Sequence, residues 1–120
     1  MTEYKFQKLQ VYQMALDYAD HIYDLADRLP DSENFNLKSQ IRRAATSIVL
    51  NIAEGSTGQS DGEQHRFLGL SLRSYLETIA CLDFIERRKY LSKDEITPFR
   101  TSGHELFIKL QAFRKSIRPS

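Results

Sequence analysis

Apolar positions recur along most of this chain at steps of three and four, the spacing that gathers side chains on one face of an α-helix. The series Leu9, Tyr12, Leu16, Ala19, Tyr23 and Ala26 predicts a first helix, with Ala15, Ile22 and Leu29 alongside and Pro30 as its stop. A polar connector, Asp31 to Asn36, leads to Leu37, Ile41, Ala44, Ala45, Ile48 and Ile52, a second helical face that ends at Gly55, a residue suited to a left-handed C-cap. Ser60-Asp61-Gly62-Glu63 has the form of a capping box, in which serine and glutamate satisfy each other's free backbone amides. It predicts the start of a third helix that runs through Leu68, Leu72, Tyr75, Ile79 and Leu82 toward Arg88. Ser92-Lys93-Asp94-Glu95 repeats the box, and Ile96, Phe99, Gly103, Leu106, Leu110, Phe113 and Ile117 then form a coiled-coil-like seam. Pro98 is tolerable this early in a helix, with Thr97-Pro98 as an alternative start.

Four helices of about 27 to 42 Å, at about 1.5 Å per residue, can lie side by side. Short connectors favour antiparallel neighbours, so the expected fold is all-α, an antiparallel up-down-up-down four-helix bundle formed as one domain over residues 1–120. Residues 1–6 and the tail Arg118-Pro119-Ser120 are expected to fray.

Composition narrows the function classes. Lys and Arg number 17 against 16 Asp and Glu, a net charge of +1 that fits neither a strongly basic nucleic-acid coat nor an acidic tail protein. The single cysteine, Cys81, cannot form an intramolecular disulfide. No stretch approaches the roughly 18 apolar residues of a membrane span, and the N-terminus has no signal-peptide core. The expectation is a soluble, cytoplasmic protein with no membrane partner.

The third helix is apolar round more of its circumference than one bundle needs. Ser71, Ser74, Thr78 and Cys81 form a stripe of small residues flanked by Phe67 and Ile85, and Leu70 and Phe84 extend the apolar surface further. This predicts a partner on a second side, the plain alternative being scattered exposed apolar residues. On the second helix Arg43, Ser47, Leu50 and Glu54 lie on a face away from the core, either solvated or meeting charge elsewhere, with Glu77 a candidate partner for an arginine. Asn51, Glu54 and Glu77 are expected to join a polar network between helices or subunits.

Catalysis finds little support. His21, His65 and His104 fall on three different helices, without the His or carboxylate spacing of a helical metal site. Asp17, His21 and Asp24 share a face that reads as an acidic ridge, and no cofactor is expected. Cys81 sits where a packing role is expected, and the Gly55 to Gly58 loop lacks the lysine of a phosphate-binding loop. Arg42 and Arg43, Arg66 and Arg73, and Lys109, Arg114, Lys115 and Arg118 are candidate nucleic-acid contacts, which a ring of subunits would multiply.

The string Ser39-Gln40-Ile41-Arg42-Arg43-Ala44-Ala45, Ser47-Ile48 and Asn51-Ile52-Ala53-Glu54-Gly55 resembles the four-helix-bundle family encoded in intervening sequences of bacterial 23S ribosomal RNA genes. Arg66-Phe67-Leu68, Ser74-Tyr75-Leu76-Glu77-Thr78, Leu9-Gln10-Val11-Tyr12, Leu29-Pro30 and Arg88-Lys89-Tyr90-Leu91-Ser92 extend the likeness over nearly the whole chain. The resemblance implies a homopentamer. A more distant relative, the accessory variability protein of diversity-generating retroelements, binds RNA and a reverse transcriptase. The family pattern singles out Arg43, Asn51, Glu54, Ser74 and Glu77. Val49 stands where relatives often have proline, which implies a straighter second helix, and Gly58-Gln59 replaces a loop that in relatives usually carries an arginine. The expected function is a non-enzymatic oligomeric binding or scaffolding protein with ribosomal or other structured RNA as ligand. The alternatives are a protein-only adaptor, such as a partner of a reverse transcriptase, and a metal-dependent bundle enzyme.

Overall fold

Caps and buried seams divide the chain into α1 (Gln10–Asp27), α2 (Leu37–Gly55), α3 (Asp61–Arg87) and α4 (Lys93–Lys115), with short 3-10 turns at Lys5–Lys8 and Asp31–Glu33. The structure is a computed structural model that describes residues 3–58 and 60–119; Met1, Thr2, Gln59 and Ser120 lie outside the described residues. Ser92 and Glu95 form the expected reciprocal capping box at α4, so that helix starts before Pro98 rather than at it. At α3 only half of the box is made: Ser60 Oγ accepts from the Glu63 amide at 3.2 Å, while the Glu63 carboxylate turns to Arg66.

Cross-helix contacts fix the topology. Asp27 meets Arg42 and Tyr23 meets Thr46 between α1 and α2; Gln64 meets Ser56 and Ser71 meets Ile48 between α2 and α3. Arg100 meets Glu86 and Arg114 meets His65 between α3 and α4, while Arg28 meets Glu95 across α1 and α4. The pairs at the helix ends join the start of one helix to the end of its neighbour, and Ser71–Ile48 joins two helix middles. The result is the expected antiparallel up-down-up-down bundle, 43 × 31 × 21 Å, with each helix packed on two neighbours around a common core.

Ile41, Ile48, Ile52, Leu68, Leu82, Ile96, Leu106 and Leu110 are fully enclosed, as the patterns of α2 to α4 predict, and Ile85, expected beside the outer stripe of α3, is enclosed with them. On α1 the buried face is rotated from the expected one. Val11, Ala15, Tyr18, Ile22, Leu25, Ala26 and Leu29 point inward, whereas Leu16 and Tyr23 stay exposed. Tyr18 is the unexpected core residue: its hydroxyl meets Thr78 Oγ1 at 2.8 Å, and Thr78 donates to the Tyr75 carbonyl at 2.6 Å. Both hydroxyls therefore have partners, which a buried polar group requires. Burial pushes the Tyr18 phenol far above its ordinary range, so it stays protonated.

Two further expectations change. Gly55 lies within α2 and not in a left-handed cap; a Cβ there would come within 2.6 Å of Phe67 Cβ, so its role is close helix approach. Positive φ occurs instead at Gly58 (φ 94°), in the loop after α2, and at Lys89 (φ 61°) at the end of α3, where the Lys89 amide bonds the Glu86 carbonyl and the Tyr90 amide reaches back to Ile85, a Schellman closure. The N-terminal segment is also more ordered than expected: Lys5–Lys8 forms its turn and Phe6 packs edge-on against Tyr12.

The two connectors at one end of the bundle are tied together. Tyr90 donates its hydroxyl to Glu33 Oε2 at 2.8 Å, and Glu33 Oε1 accepts from the Leu37 amide and from Asn36. These donors, Tyr90 first, hold the Glu33 carboxyl below its ordinary 4.5. A carboxyl depressed in the folded state supplies stability that is present above its unfolded value and lost as pH falls through the folded one. Acid titration of unfolding should therefore show wild-type stability falling below about pH 4.5, with a smaller fall in Tyr90→Phe. Equal acid limbs in the two proteins would contradict the link.

Glycine substitutions separate room from propensity. At Gly103 a Cβ would lie 2.8 Å from Tyr18 Cε1 and 3.0 Å from Tyr75 Cε1, both ring atoms held in the core. Gly103→Ala should destabilise by about 1–3 kcal/mol. At Gly69 the nearest atoms belong to the flexible end of Arg114, so Gly69→Ala should cost less or gain from helix propensity, up to about 1 kcal/mol. Denaturant midpoints of the two variants check the order.

Candidate interaction surface on the second and third helices

The closest helix pair is α2 and α3, and small residues make it so. Ser71 Oγ donates to the Ile48 carbonyl at 2.8 Å, and Gln64 Nε2 reaches Ser56 Oγ at 3.1 Å. The small-residue stripe of α3 is thus largely filled by the chain's own bundle: Ser71 and Thr78 are fully enclosed and Cys81 is buried. Burial, then the nearby Glu77 carboxylate, push the Cys81 thiol up, which keeps it protonated and poorly nucleophilic. The expectation that this stripe itself faces another subunit is corrected; only its outer border remains available.

That border carries most of the candidate residues. Arg43, Glu54 and Glu77 are exposed, and none makes an ion pair among the described residues. Leu50 and Phe84 are 55% and 50% exposed, while Leu70 and Ser74 are half-buried. Asn51 bonds the Ser47 carbonyl one turn back in its own helix. The expected network of Asn51, Glu54 and Glu77 therefore does not form within the chain, because the side chains at its outer border point past the α2–α3 contact.

The basic candidates divide. Arg66 is held by Glu63 at 3.3 Å and lies 4.5 Å above the Phe67 ring. Arg42 pairs with Asp27 at 2.7 Å and covers Tyr23. Arg114 is a structural strap: its Nε donates to the His65 carbonyl at 2.9 Å and its guanidinium fills the space over Gly69. Arg73, Lys109, Lys115 and Arg118 remain exposed. His21 and His104 are exposed, His104 stacking on Phe107, and His65 is half-buried. No group of three His, Cys, Asp or Glu side chains among the described residues is placed to hold a metal ion.

Sequence patterns missed two features. Phe35 is 99% exposed on the α1–α2 connector, and its only signal is that it stands alone in a polar run. Between α3 and α4 lies an open groove of about 670 Å³ bordered by Tyr75, Leu76, Ile79, His104 and Phe107. Leu76 and Ile108, both 51% exposed, fall outside the seams that spacing detects.

A family profile described as 23S rRNA-intervening sequence protein matches residues 7–112. The chain is similar to the crystal structure of a protein of unknown function from the S23 ribosomal protein family of Bacteroides thetaiotaomicron, with 26% identity and a TM-score of 0.80. The likeness covers 88% of this chain and 98% of that one. No curated protein matches. No helix of the described residues is long and apolar enough to cross a membrane.

Proposed function

The chain belongs to the 23S rRNA-intervening sequence protein family, and from that premise we propose that it is a non-enzymatic, self-associating bundle that binds structured RNA as a scaffold. The observation that carries this reading is the outer border of α2 and α3. The core of the single chain closes without Leu50 and Phe84, yet both stand half-exposed: Leu50 lies between Arg43 and Glu54 on α2, and Phe84 two turns beyond Glu77 on α3, three charges that make no ion pair among the described residues. Apolar side chains rimmed by charge are the composition of a protein interface. The family's association with 23S rRNA intervening sequences supports RNA as the ligand class. Exposed Lys109, Lys115 and Arg118 near the end of α4 supply cations for phosphate, and repetition around an assembly compensates for a net charge of only +1 per chain. The buried, protonated thiol of Cys81 and the scattered histidines offer no nucleophile with an adjacent base, which supports a binding role over catalysis.

Light scattering should give a mass that is a multiple of 14.0 kDa, a homopentamer being the expected ring. Phe84→Glu should reduce that mass while leaving helical circular dichroism intact, since its ring is half outside the core. Loss of helicity instead would assign Phe84 to the fold.

Binding of structured RNA should weaken steeply with salt, as phosphate contacts do. Reversing Lys109 and Lys115 should lower the salt slope by about one unit per lost contact without changing oligomer size. An assembly that retains no RNA at about 50 mM salt, where such contacts are strong, would leave the protein-only adaptor as the function.

A further inference from the structure

The register of α2 against α3 places residues of their outer edges side by side. Gln64 meets Ser56 and Ser71 meets Ile48, so steps along both helices set Arg66 level with Glu54, Leu70 with Leu50, Arg73 with Ser47 and Glu77 with Arg43. Both edges advance by alternating steps of four and three, the spacing of a helix-packing seam. Each edge thus carries one leucine; the two outermost levels bear opposite charges, Arg43 with Glu77 and Glu54 with Arg66, and the remaining level sets Arg73 beside the uncharged Ser47. These levels are not joined within the chain. Arg43, Glu54 and Glu77 make no ion pair among the described residues, and Arg66 is taken by Glu63.

We propose that the two edges form a self-complementary seam for a second copy of this chain. The α2 edge of one copy lies along the α3 edge of the next, with Arg43 opposite the next copy's Glu77 and Leu50 opposite its Leu70. The proposal rests on the self-association argued above and adds which side chains meet. Charge complementarity selects this register over its neighbours. Sliding the seam one step in one direction sets Arg43 against Arg73; sliding it the other way sets Leu50 against Arg73 and Glu54 against Leu70. Both slips place like charges together or strand a charge on a leucine, which disfavours them. Level-for-level contact is preserved by rotation about an axis parallel to the helices, so the seam implies a closed ring whose helices run along its axis. The leucine rung supplies the apolar contact, and the flanking charges fix alignment and exclude wrong partners.

The test uses the full chain as wild type, Arg43→Glu, Glu77→Arg and an equimolar mixture of the two variants, followed by sedimentation over a concentration series. Both positions are exposed, so folding is preserved and helical circular dichroism verifies it. Each single variant should need at least about tenfold more protein to associate, because every seam then opposes like charges. The mixture should associate at a lower concentration than either component, since at every mixed seam, at most four of the five in a five-membered ring, the glutamate introduced in one variant faces the arginine introduced in the other; a pair formed within one chain could not produce that recovery. Wild-type behaviour of both variants, or a mixture no better than its components, would overturn the seam while leaving self-association standing. A wild type that stays monomeric throughout would overturn both.

Discussion

The close approach of α2 and α3 is the constraint on which the remaining architecture depends. A methyl group at Gly55 would strike Phe67, and Ser71 stands close enough to α2 to bond the carbonyl of Ile48. A large side chain at either position would separate the two helices and open the core between Ile48, Ile52 and Leu68, all of them fully enclosed. Cores at this density respond to a single methylene, so the small residues of α3 are as much a part of the packing as the leucines. The same approach fixes the register and brings the outer edges of the pair together.

On the opposite side of α3 the packing is aromatic and looser. Tyr18 of α1 meets Tyr75 of α3 at a tilt and Tyr75 stacks on Phe107 of α4, with Gly103 leaving the space that the Tyr18 and Tyr75 rings occupy. Thr78 satisfies the Tyr18 hydroxyl and donates its own hydrogen bond to the Tyr75 carbonyl of α3, so the core holds a polar chain without an unmet group there. Farther along, Arg114 bridges α4 to the His65 carbonyl, doing with a long side chain what direct contact does on the α2 side. The open groove beside Leu76 and His104 starts at the aromatic level and extends toward Arg100, away from that strap. One flank of α3 is therefore shaped by small residues and the other by large ones.

The helix boundaries and the antiparallel bundle were legible in the sequence because capping serines, few glycines and steps of three and four are local signals. The face of α1 was not, because Tyr12, Leu16 and Tyr23 satisfy the same spacing as Val11, Tyr18 and Leu25, and an aromatic ring with a hydroxyl fits either side of a helix. Gly55 misled for a related reason: a glycine at a helix end suits a left-handed cap and a close contact equally, and only the position of Phe67 decides. The stripe from Ser71 to Cys81 announced that a helix comes near but not whose helix it was. Arg114 looked like a cation available for phosphate, and its commitment to His65 depends on a register between α3 and α4 that no local pattern encodes. Arg43, Glu54 and Glu77 were correctly placed on outward faces, while their levels relative to one another required the α2–α3 contact.

Exposed charges of this kind do little for the fold that carries them. A surface ion pair is worth about 0–1 kcal/mol, and these residues form none among the described residues. Their placement beside Leu50 and Leu70 matters for the choice of neighbour, because opposed charges admit one alignment and penalise the others. The exposed cations Lys109, Lys115 and Arg118 belong to the end of α4 and the residues just after it, away from that border. Assembly along α2 and α3 would therefore leave the α4 cations facing solvent, and each added copy would bring the same cations to the same end of a ring. Under the proposed function self-association would come first and RNA binding would follow from it, since repetition multiplies the cations that a chain of net charge +1 offers to a phosphate backbone.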